Sequence, residues 1–313
     1  MPALEKLTSS RVEELFETVV RPLAPRIPRQ RWQRAFEPRD WRDEEHFGYV
    51  LVDGGKMIGM LGTLFSRRSI DGRDVRFCNL HNWYVTPEHR ASSLLLMRPV
   101  LALREHVVTD LTATDEVVAI SRRLGFATIE RTALLLPPLP PSPGRNSHEI
   151  ELIDLTDQPD QADSALNATE LRIFRDHQGI DCGHLLVRAP EGRCYLVYSQ
   201  IACRWLPHCH IHHVSDATVF SRRHAAIRRR LLRDGGCYVA LSSPLLGGAK
   251  LPLSIANGTC PWLVRSTSPP PTSLDSLYSE IPLSQLPLYP RPPRFLLPAT
   301  RRLVRRWKNR ASE

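Results

Sequence analysis

The sequence lacks the features that mark several classes of protein. No run of about 20 apolar residues appears, and a membrane-spanning helix would need one. The first residues, MPALEKLTSSRVEELFE, lack the basic-then-apolar layout of a secretory signal peptide and resemble an amphipathic helix instead. These absences favour a globular protein of the cytoplasm. With 313 residues, of which 42% are hydrophobic, the chain is long enough for about two domains with cores of their own.

The cysteines and histidines form no diagnostic pattern. Seven cysteines are scattered along the chain, an odd number without a signal peptide, which predicts free thiols in a reducing compartment. None of them lies in a recognisable nucleophile motif. The stretch CRWLPHCHIHHVSD suggests zinc, but no second ligand pair follows at a finger spacing. A polar strand face that lines a groove explains these histidines better, and we predict no metal site.

Most of the net charge of +9 lies in the last residues. Between Arg291 and Glu313 there are eight basic residues and one acid, a net charge of +7, so the rest of the chain carries only +2. In PATRRLVRRWKNR, Thr300 can cap a short helix that places Leu303, Val304 and Trp307 on one side. Residues 291–313 therefore suit an anionic membrane surface at the inner face of the membrane, or form a disordered solubilising tail. Sparse aromatic residues argue against nucleic acid as a partner.

A proline-rich segment divides the chain. The residues LLLPPLPPSPGRNSHE, 134–149, predict a stiff linker rather than a strand or helix, because prolines remove amide donors and favour polyproline geometry. We place the first domain at residues 1–141, the remainder of the linker at 142–149, a second domain at 150–290 and the basic tail at 291–313.

The two sides of this linker repeat one order of elements. GYVLVDGGKMIGMLGTLFS and GHLLVRAPEGRCYLVYSQI each read as a strand, a glycine-containing turn and a second strand. Another strand, a helix and a short extended run follow on both sides, and Val85 corresponds to Val214 in this overlay. The pattern predicts an α/β protein with two tandem domains, each a mixed, mainly antiparallel sheet flanked by helices.

Three stretches of the first half resemble the GNAT superfamily of acyl-CoA-dependent acyltransferases. They are DGGKMIGMLG, WYVTPEHRASSLL and AISRRLGFATIERTALLL, within about residues 48–136. The second half resembles the same fold through its element order alone. The resemblance implies a tandem GNAT-like architecture in which the first half binds acetyl-CoA or another acyl-CoA and the second is degenerate.

The resemblance also places the cofactor. In this family the fourth and fifth strands splay apart, the pantetheine arm lies along the fourth, and the diphosphate rests on amides at the start of the third helix. The residues implied are Trp83, Tyr84, Val85, Arg90, Ala91, Ser92, Ser93, Leu94 and Leu95. The glycines usual in the family loop are missing here. The alternative is a strand–helix corner whose serines only cap the helix.

Acyl transfer needs a base and a proton donor. Strand alternation predicts Asn79, His81 and Trp83 on one face, and His81 is the predicted base because imidazole titrates near neutral pH. Asp110 is a second candidate. The alternatives are a histidine that supports the sheet and an aspartate that serves a turn. Ser121 lies where the family often has a tyrosine that protonates the departing thiolate, and serine is far less acidic.

The sequence thus predicts an acyltransferase that moves an acyl group from acyl-CoA to an amine or hydroxyl. The acceptor would be a small molecule or a polymer precursor, such as a sugar, lipid or surface-polymer precursor. The second domain would complete the acceptor groove and hold the two sheets as a pseudo-dimer. The alternative is a catalytically inactive GNAT-fold protein that binds a metabolite or a partner.

Overall fold

The structure is a computed structural model that describes residues 2–21, 28–70, 72–139, 150–202, 206–259, 261–267, 274–286 and 288. The predicted linker, 142–149, and the basic tail, 291–313, lie outside these residues. Within them, the helices are too short or too polar to cross a membrane. The five cysteines in this part of the chain form no disulfide bonds with one another.

The chain forms two compact units. Unit 1 comprises Met1–Glu130, Arg175–Ile180 and Pro261–Leu286, and unit 2 comprises Arg131–Phe174, Asp181–Cys260 and Pro287–Glu313. The predicted boundaries, 1–141 and 150–290, differ from these units in two main segments. A strand near residue 134 joins the second unit, and residues 261–286 join the first.

Unit 1 contains a seven-stranded sheet in the order β1-β2-β3-β4-β5-β14-β6. Its strands are β1 (Ala3–Lys6), β2 (Gly48–Asp53), β3 (Lys56–Ile70), β4 (Arg73–Val85), β5 (His106–Asp110), β6 (Ala127–Ile129) and β14 (Trp262–Arg265). Only β4 and β5 pair in parallel, and the other neighbours are antiparallel. The helices of this unit are α1 (Val12–Leu15, continued by a π-helical turn at Phe16–Val20), α2 (Arg29–Gln33), α3 (Ser93–Leu101), α4 (Asp115–Arg123) and α8 (Glu280–Ser284).

Alternation along β4 separates the two faces of this sheet. Cys78 and Leu80, with Val108 of β5, join a buried cluster that contains Leu96 of α3 and Val118 of α4. The residues between them, such as Asn79, therefore face the opposite side of the sheet. The helix α4 ends within the sequence RRLGF. Gly125 adopts φ +87°, and the Phe126 amide donates to the Ser121 carbonyl, which completes a helix C-cap.

Unit 2 contains a second seven-stranded sheet, in the order β13-β7-β12-β11-β10-β9-β8. Its strands are β7 (Thr132–Leu136), β8 (Glu151–Asp154), β9 (Gly183–Ala189), β10 (Gly192–Ile201), β11 (His208–Val214), β12 (Val239–Ser242) and β13 (Ile255–Thr259). Its helices are α5 (Ala162–Ala165), α6 (Ala168–Asp176, whose last two residues are grouped with unit 1) and α7 (Ala217–Leu231). Leu196, Ile211, Phe220 and Leu231 lie in its buried core.

The predicted repeat is confirmed. The hairpins β2–β3 and β9–β10, the strands β4 and β11, the helices α3 and α7, and the strands β5 and β12 follow one another in the same order. Val85 and Val214 are the last residues of β4 and β11. The last strand but one at an end of each sheet, β14 in unit 1 and β7 in unit 2, comes from the other half of the sequence. The pattern did not predict this exchange.

Two local predictions were wrong. Residues Ala3–Lys6 form an edge strand paired with β2 rather than the start of a helix. Residues 134–136 lie in β7 rather than in the linker, because they pair with both β12 and β13 and Leu135 and Leu136 are buried. Tertiary pairing outweighs local composition in both cases.

Candidate functional site

The strands β4 and β5 separate at one end of the unit 1 sheet. Their parallel pairing runs from Arg76–His106 to Leu80–Asp110, whereas β4 continues to Val85. In the part of the chain that the structure describes, no strand pairs with His81–Val85 on that side. We call this opening the fork. Its backbone donors and acceptors on the β5 side are therefore not used by sheet pairing.

A bulge changes the side-chain directions at the fork. Gly62 of β3 pairs with His81, but Met60 pairs with Tyr84, so β4 contains one extra residue. At this bulge Asn82 adopts φ +52°, a conformation that asparagine tolerates better than most residues. Trp83 consequently packs against the α3–α4 core, on the face of Leu80. The predicted alternation, which placed Trp83 with His81, was wrong because of this bulge.

His81 lies in an enclosed apolar environment. Its ring contacts Phe36, with 5.2 Å between the ring centroids. A Cβ atom on Gly62 would lie 2.3 Å from His81 Cε1, so the ring fits only because residue 62 is glycine. Neither ring nitrogen has a hydrogen-bond partner among the described residues. Burial, helped by the charge of Arg42, lowers the pKa of His81 to about 3. The imidazole is therefore neutral and weakly basic at pH 7.

The predicted phosphate corner is a continuous helical turn. A 3₁₀ helix spans Pro87–Ser92 and leads directly into α3. The His89 amide donates to the Thr86 carbonyl at 2.9 Å, and the Ser93 amide donates to the Arg90 carbonyl. The Ser92 side chain forms no capping hydrogen bond. The amide of Ser93 is thus engaged within the helix, and binding of a diphosphate by these amides stays a prediction.

The remaining residues of this corner point in different directions. Arg90, Ala91 and Leu94 are exposed. Leu95 is half-buried and packs against the α3–α4 core. Tyr84 is half-buried, and Val85 is buried in the same core. Leu95 therefore belongs to the packing of α3.

A buried polar cluster lies where β4 and β5 part. The Glu280 carboxylate, from α8, accepts hydrogen bonds from Asn79 Nδ2 at 2.6 Å and from the Thr112 hydroxyl at 2.7 Å. The Thr109 hydroxyl donates to Asn79 Oδ1 at 3.1 Å. The Thr112 amide donates to Asp110 Oδ1 at 3.2 Å. Glu280 thus bridges the end of β4 and the residues after β5.

Both carboxyl groups of this cluster have raised pKa values. Burial and the nearby Glu280 raise the pKa of Asp110 to about 7, although hydrogen bonds from the amides of Thr112 and Ala113 act to lower it. Burial also raises the pKa of Glu280, although its hydrogen bonds from Thr112 and Asn79 act to lower it. Glu280 is only 3% exposed and Asp110 only 7%. Burial disfavours the charged form of a carboxyl group, so both groups hold a proton to a higher pH than an exposed carboxyl does.

Sequence reasoning missed Glu280. It lies some 200 residues after Asn79, in LYSEIPLSQ, where the only signal was a single acid in an apolar stretch. We call residues 274–286 the closing segment. Asp275 pairs with Arg68 at 2.8 Å, the Tyr278 hydroxyl donates to Asp176 at 2.6 Å, and His177 Nε2 lies 3.0 Å from the Leu277 carbonyl. The ion pair attaches the closing segment to β3, and the other two bonds attach it to residues 176 and 177, which also belong to unit 1.

Thr114, at the start of α4, and Ser121, within it, have structural roles here. Thr114 caps α4 by accepting a hydrogen bond from the Val117 amide at 3.4 Å. Ser121 is buried within α4. Among the groups near the fork, the carboxyls Asp110 and Glu280 are therefore better suited than Ser121 to move a proton.

Unit 2 has an equivalent strand end with different side chains. The strands β11 and β12 pair at Cys209–Val239 and His210–Ala240, and β11 continues to Val214. The Asp216 carboxylate caps α7 and accepts from the Thr218 and Val219 amides at 2.8 and 2.9 Å. A carboxylate at the helix N-terminus repels a diphosphate, so this corner is unsuited to bind one.

The histidine strand of unit 2 is buried. His210 and His212 lie 4.5 Å apart between ring centroids, and His212 Nε2 is 3.0 Å from the Ser199 hydroxyl. Burial, together with the neighbouring His212, His208 and Arg131, lowers the pKa of His210 well below its usual value. The described residues include no cluster of three or more His, Cys, Asp or Glu side chains arranged to hold a metal ion.

Comparisons with known proteins place the fold. No protein-family model matches the chain, and a search of curated proteins gives no significant match. Solved structures do match. They include a GCN5-related N-acetyltransferase from Anabaena variabilis, with TM-score 0.56 and 13% identity over 85% of this chain and 72% of the other. A probable N-acyltransferase from Enterococcus faecalis matches with TM-score 0.55 and 13% identity, again over 85% of this chain and 72% of the other.

A third similar structure is the GCN5-related N-acetyltransferase from Kribbella flavida, with TM-score 0.51 and 15% identity over 85% of this chain and 71% of the other. At these identities the likeness concerns the fold. It agrees with the two mixed sheets, each with one parallel pair between strands that then separate. The chain therefore has the GCN5-related N-acetyltransferase fold, the acyl-CoA N-acyltransferase fold, in two tandem units.

Proposed function

We propose that unit 1 is an acyl-CoA-dependent acyltransferase that acylates an amine or a hydroxyl group. The observation that carries this proposal is the fork. β4 continues for five residues beyond its last pair with β5, and its edge there is open to an extended ligand. The acyl-CoA supplies the thioester carbonyl that the acceptor attacks.

The residues of the fork fit an extended amide-containing ligand. The main-chain groups of Trp83–Val85 on the β5 side can pair with amides, as in an added strand. The Trp83 indole N–H is buried and lacks a hydrogen-bond partner among the described residues. A buried donor of this kind is costly unless a ligand or water satisfies it. Both features support binding of a pantetheine-like chain.

At the strand–helix corner, we expect a charged side chain rather than the backbone amides to bind the ligand. Because the Ser93 amide is engaged with Arg90, we expect the exposed Arg90 guanidinium to provide the main contact to a diphosphate. The second unit carries the Asp216 carboxylate at the equivalent corner. We therefore assign acyl-CoA binding to unit 1.

The acceptor is expected to be polar. A cavity of about 410 Å³ is lined by Arg39, Arg42, Asp43, Phe47 and their neighbours. The Arg42 guanidinium lies 4.7 Å from the Phe47 ring centroid, and its charge helps to lower the pKa of His81. The mixture of cations and carboxylates suits a substrate with hydroxyl, amino or acidic groups. A sugar or a polymer precursor fits this description better than an apolar molecule does.

Calorimetric titration of the full-length protein with acetyl-CoA and with longer acyl-CoAs tests the proposal. We expect saturable binding of at least one of them and slow release of free CoA thiol in the absence of acceptor. Coenzyme A without an acyl group serves as the matched ligand. If none of the acyl-CoAs binds, the assignment of unit 1 as an acyltransferase is wrong.

A second candidate function is a catalytically inactive binding protein. Two observations favour it: the corner has no glycine and uses its Ser93 amide internally, and His81 is a weak base. Binding of an acyl-CoA without release of thiol, in the presence of varied amines and sugars, would support this alternative.

The basic tail adds a proposed location. Residues 291–313 carry a net charge of +7 and a tryptophan, and we propose that they bind an anionic membrane surface. Co-sedimentation with anionic liposomes should fall when this segment is removed and should fall as well when salt is raised. Equal sedimentation of the two proteins would contradict a role in membrane binding.

A further inference from the structure

We propose that Arg42 binds a carboxylate or phosphate group of the acceptor, in the cavity of about 410 Å³ that this residue helps to line. The acceptor is then an acidic small molecule, such as an acidic or phosphorylated sugar. The inference deepens the proposed function, and it rests on that function for the identification of the ligand as the acceptor. The binding of an acidic group at Arg42 can be measured without acyl-CoA.

The backbone of Arg42 is held against β3. The pairing of β3 with β2 ends at Gly62, and further along β3 an isolated bridge joins Arg42 to Ser66. The Asp43 amide donates to the Phe65 carbonyl at 3.3 Å. A side chain on a backbone that is fixed in this way is pre-positioned for binding.

Two nitrogen atoms of the Arg42 guanidinium lack acceptors. The Nη2 atom donates to the Ala35 carbonyl, whereas Nε and Nη1 are buried and have no hydrogen-bond partner among the described residues. The Cζ atom lies 4.7 Å from the Phe47 ring centroid and 5.8 Å from that of Trp41, and these rings offer no oxygen acceptor. Buried donors without acceptors are costly, so a ligand oxygen at this guanidinium is stabilising.

Arg42 also lacks an ionic partner. No carboxylate of the described residues pairs with it, whereas Arg39 pairs with Glu37 at 2.9 Å and Arg68 of β3 pairs with Asp275 at 2.8 Å. Burial and the nearby charge of Arg39 lower the pKa of Arg42 to about 9, although Glu37 acts to raise it. The guanidinium is therefore still a cation at pH 7. Charged side chains that are enclosed in proteins are usually paired.

The carboxylates around the cavity are either paired or exposed. Asp43 pairs with Arg67 at 3.2 Å and with Arg76 at 3.5 Å. Glu44 and Glu45 are exposed, where water and salt screen their charges. The enclosed charge at the cavity wall is therefore positive. Hydrogen bonds from a guanidinium to carboxylate or phosphate oxygens are stronger than those to neutral acceptors, which favours an acidic ligand.

Ring contacts connect the cavity to the fork. Phe47 lines the cavity, and its ring centroid lies 6.3 Å from that of Phe36. Phe36 in turn contacts His81, the first residue of β4 beyond its pairing with β5. The acidic group at Arg42 and the amine or hydroxyl that reacts at the fork are therefore at opposite ends of the acceptor.

Thermal unfolding of the full-length protein tests the site without acyl-CoA. The acidic probes are inorganic phosphate, glucose 6-phosphate and glucuronate, and glucose is the neutral control, all at one ionic strength. We expect the acidic probes to raise the Tm of the wild type, because a ligand that binds only the native state stabilises it. Glucose should leave the Tm unchanged. Calorimetric titration then gives a Kd for each acidic probe and shows whether phosphate or carboxylate is preferred.

Two variants test the role of the guanidinium. Arg42→Gln removes its charge, whereas Arg42→Lys keeps the charge but loses the planar group. We expect Arg42→Gln to weaken the binding of the acidic probes at least about tenfold, and Arg42→Lys to weaken it less. Both side chains retain part of the packing on Phe47, and unfolding without ligand checks that the variants fold.

Arg21→Gln is the matched control. It removes the same charge from unit 1, at an exposed residue that pairs with Glu17 and does not line the cavity. Because an exposed charge is screened, the Kd of the acidic probes should stay within about twofold.

Acyl transfer gives a second measurement. At saturating acyl-CoA, thiol release should be faster with glucose 6-phosphate or glucuronate as hydroxyl acceptor than with glucose. Arg42→Gln should remove this difference. An equal rate with glucose and with the acidic sugars in the wild type would contradict an acidic acceptor.

The outcomes separate the site from the proposed function. If no acyl-CoA binds but the acidic probes bind in a manner that depends on Arg42, the acyltransferase proposal is wrong and the acid-binding site is supported. If acyl-CoA binds but no acidic probe raises the Tm of the wild type, only the inference about Arg42 is wrong. Equal Kd values for Arg42→Gln and the wild type would place the anions elsewhere and would also overturn the inference.

Discussion

The two units share one strand order but place different groups where their parallel strands part. Unit 1 has an aspartate and a glutamate there, and its corner carries the exposed Arg90. Unit 2 has buried histidines on β11, and the Asp216 carboxylate caps the helix α7 at its corner. The same backbone therefore offers an anion-compatible corner in one unit and an anion-repelling one in the other. A repeated fold does not imply a repeated site.

The largest expected difference concerns pH. The raised pKa of Asp110 means that the folded state holds this proton more tightly than the unfolded state does. The stability from this group is fully present below pH 3.8 and is lost as pH rises through about 7. Asp110→Asn cannot ionise, and we expect it to lose less stability than the wild type between pH 5 and 9. The difference should exceed about 1.4 kcal/mol, the value of one pKa unit.

Denaturant unfolding at several pH values measures this difference. The buried imidazoles His81 and His210, whose pKa values are lowered, produce the opposite trend. Their contribution is lost as pH falls below 6.5, in both proteins alike, so it cancels in the comparison. Identical pH slopes for the two proteins would show that Asp110 is not buried as described.

Glycines under aromatic rings give a second comparison. A Cβ on Gly62 would lie 2.3 Å from His81, and one on Gly183 would lie 2.3 Å from the Tyr198 ring. Because both neighbours are buried, alanine at either position should cost about 1–3 kcal/mol of unfolding free energy. Only Gly62→Ala should also change acyl transfer, since it displaces a residue of the unit 1 fork.

Gly236→Ala is a suitable control for this pair. Its nearest neighbour would be the flexible end of the Leu232 side chain, 3.1 Å away, so a smaller loss is expected. A loss in Gly236→Ala equal to the other two would mean that the aromatic rings are not responsible.

The element order was predictable because its signals are local. The turn of the first hairpin, at Gly54 and Gly55, and the cap at Gly125 need positive φ, and glycine supplies it. The exchange of β7 and β14 was not predictable in this way. Each of these strands is a short apolar run, and only long-range pairing decides which sheet it joins.

The site was predicted in part. The end of β4, Asp110 and the strand–helix corner were identified from the sequence. Trp83 was predicted on the wrong face because strict alternation does not allow for the bulge in β4. Asn82 was the available signal, since asparagine is enriched at positive φ. Glu280 gave no usable signal. Its hydrogen-bond partners, Asn79 and Thr112, lie 201 and 168 residues away in sequence.

The corner charge is tested by Arg90→Ala. If the guanidinium holds a diphosphate, its removal should weaken acyl-CoA binding about tenfold, or about 1.4 kcal/mol. Arg222→Ala, at an exposed position near the start of α7, is the matched control and should leave the affinity unchanged. Calorimetry with one acyl-CoA measures both. If Arg90→Ala and the wild type bind with equal affinity, Arg90 does not hold the diphosphate. The amides of the turn or another surface would then bind it.

The smallest expected effect separates the two helix starts. The Asp216 side chain accepts two amide hydrogen bonds, whereas Ser92 forms no capping bond. Asp216→Ala should therefore cost about 1 kcal/mol of stability, and Ser92→Ala less than about 0.5 kcal/mol, as for an ordinary surface change. Denaturant unfolding distinguishes these values. A loss in Ser92→Ala as large as in Asp216→Ala would mean that Ser92 caps α3 in solution, which would make this corner a simple helix cap and weaken the case for a ligand there.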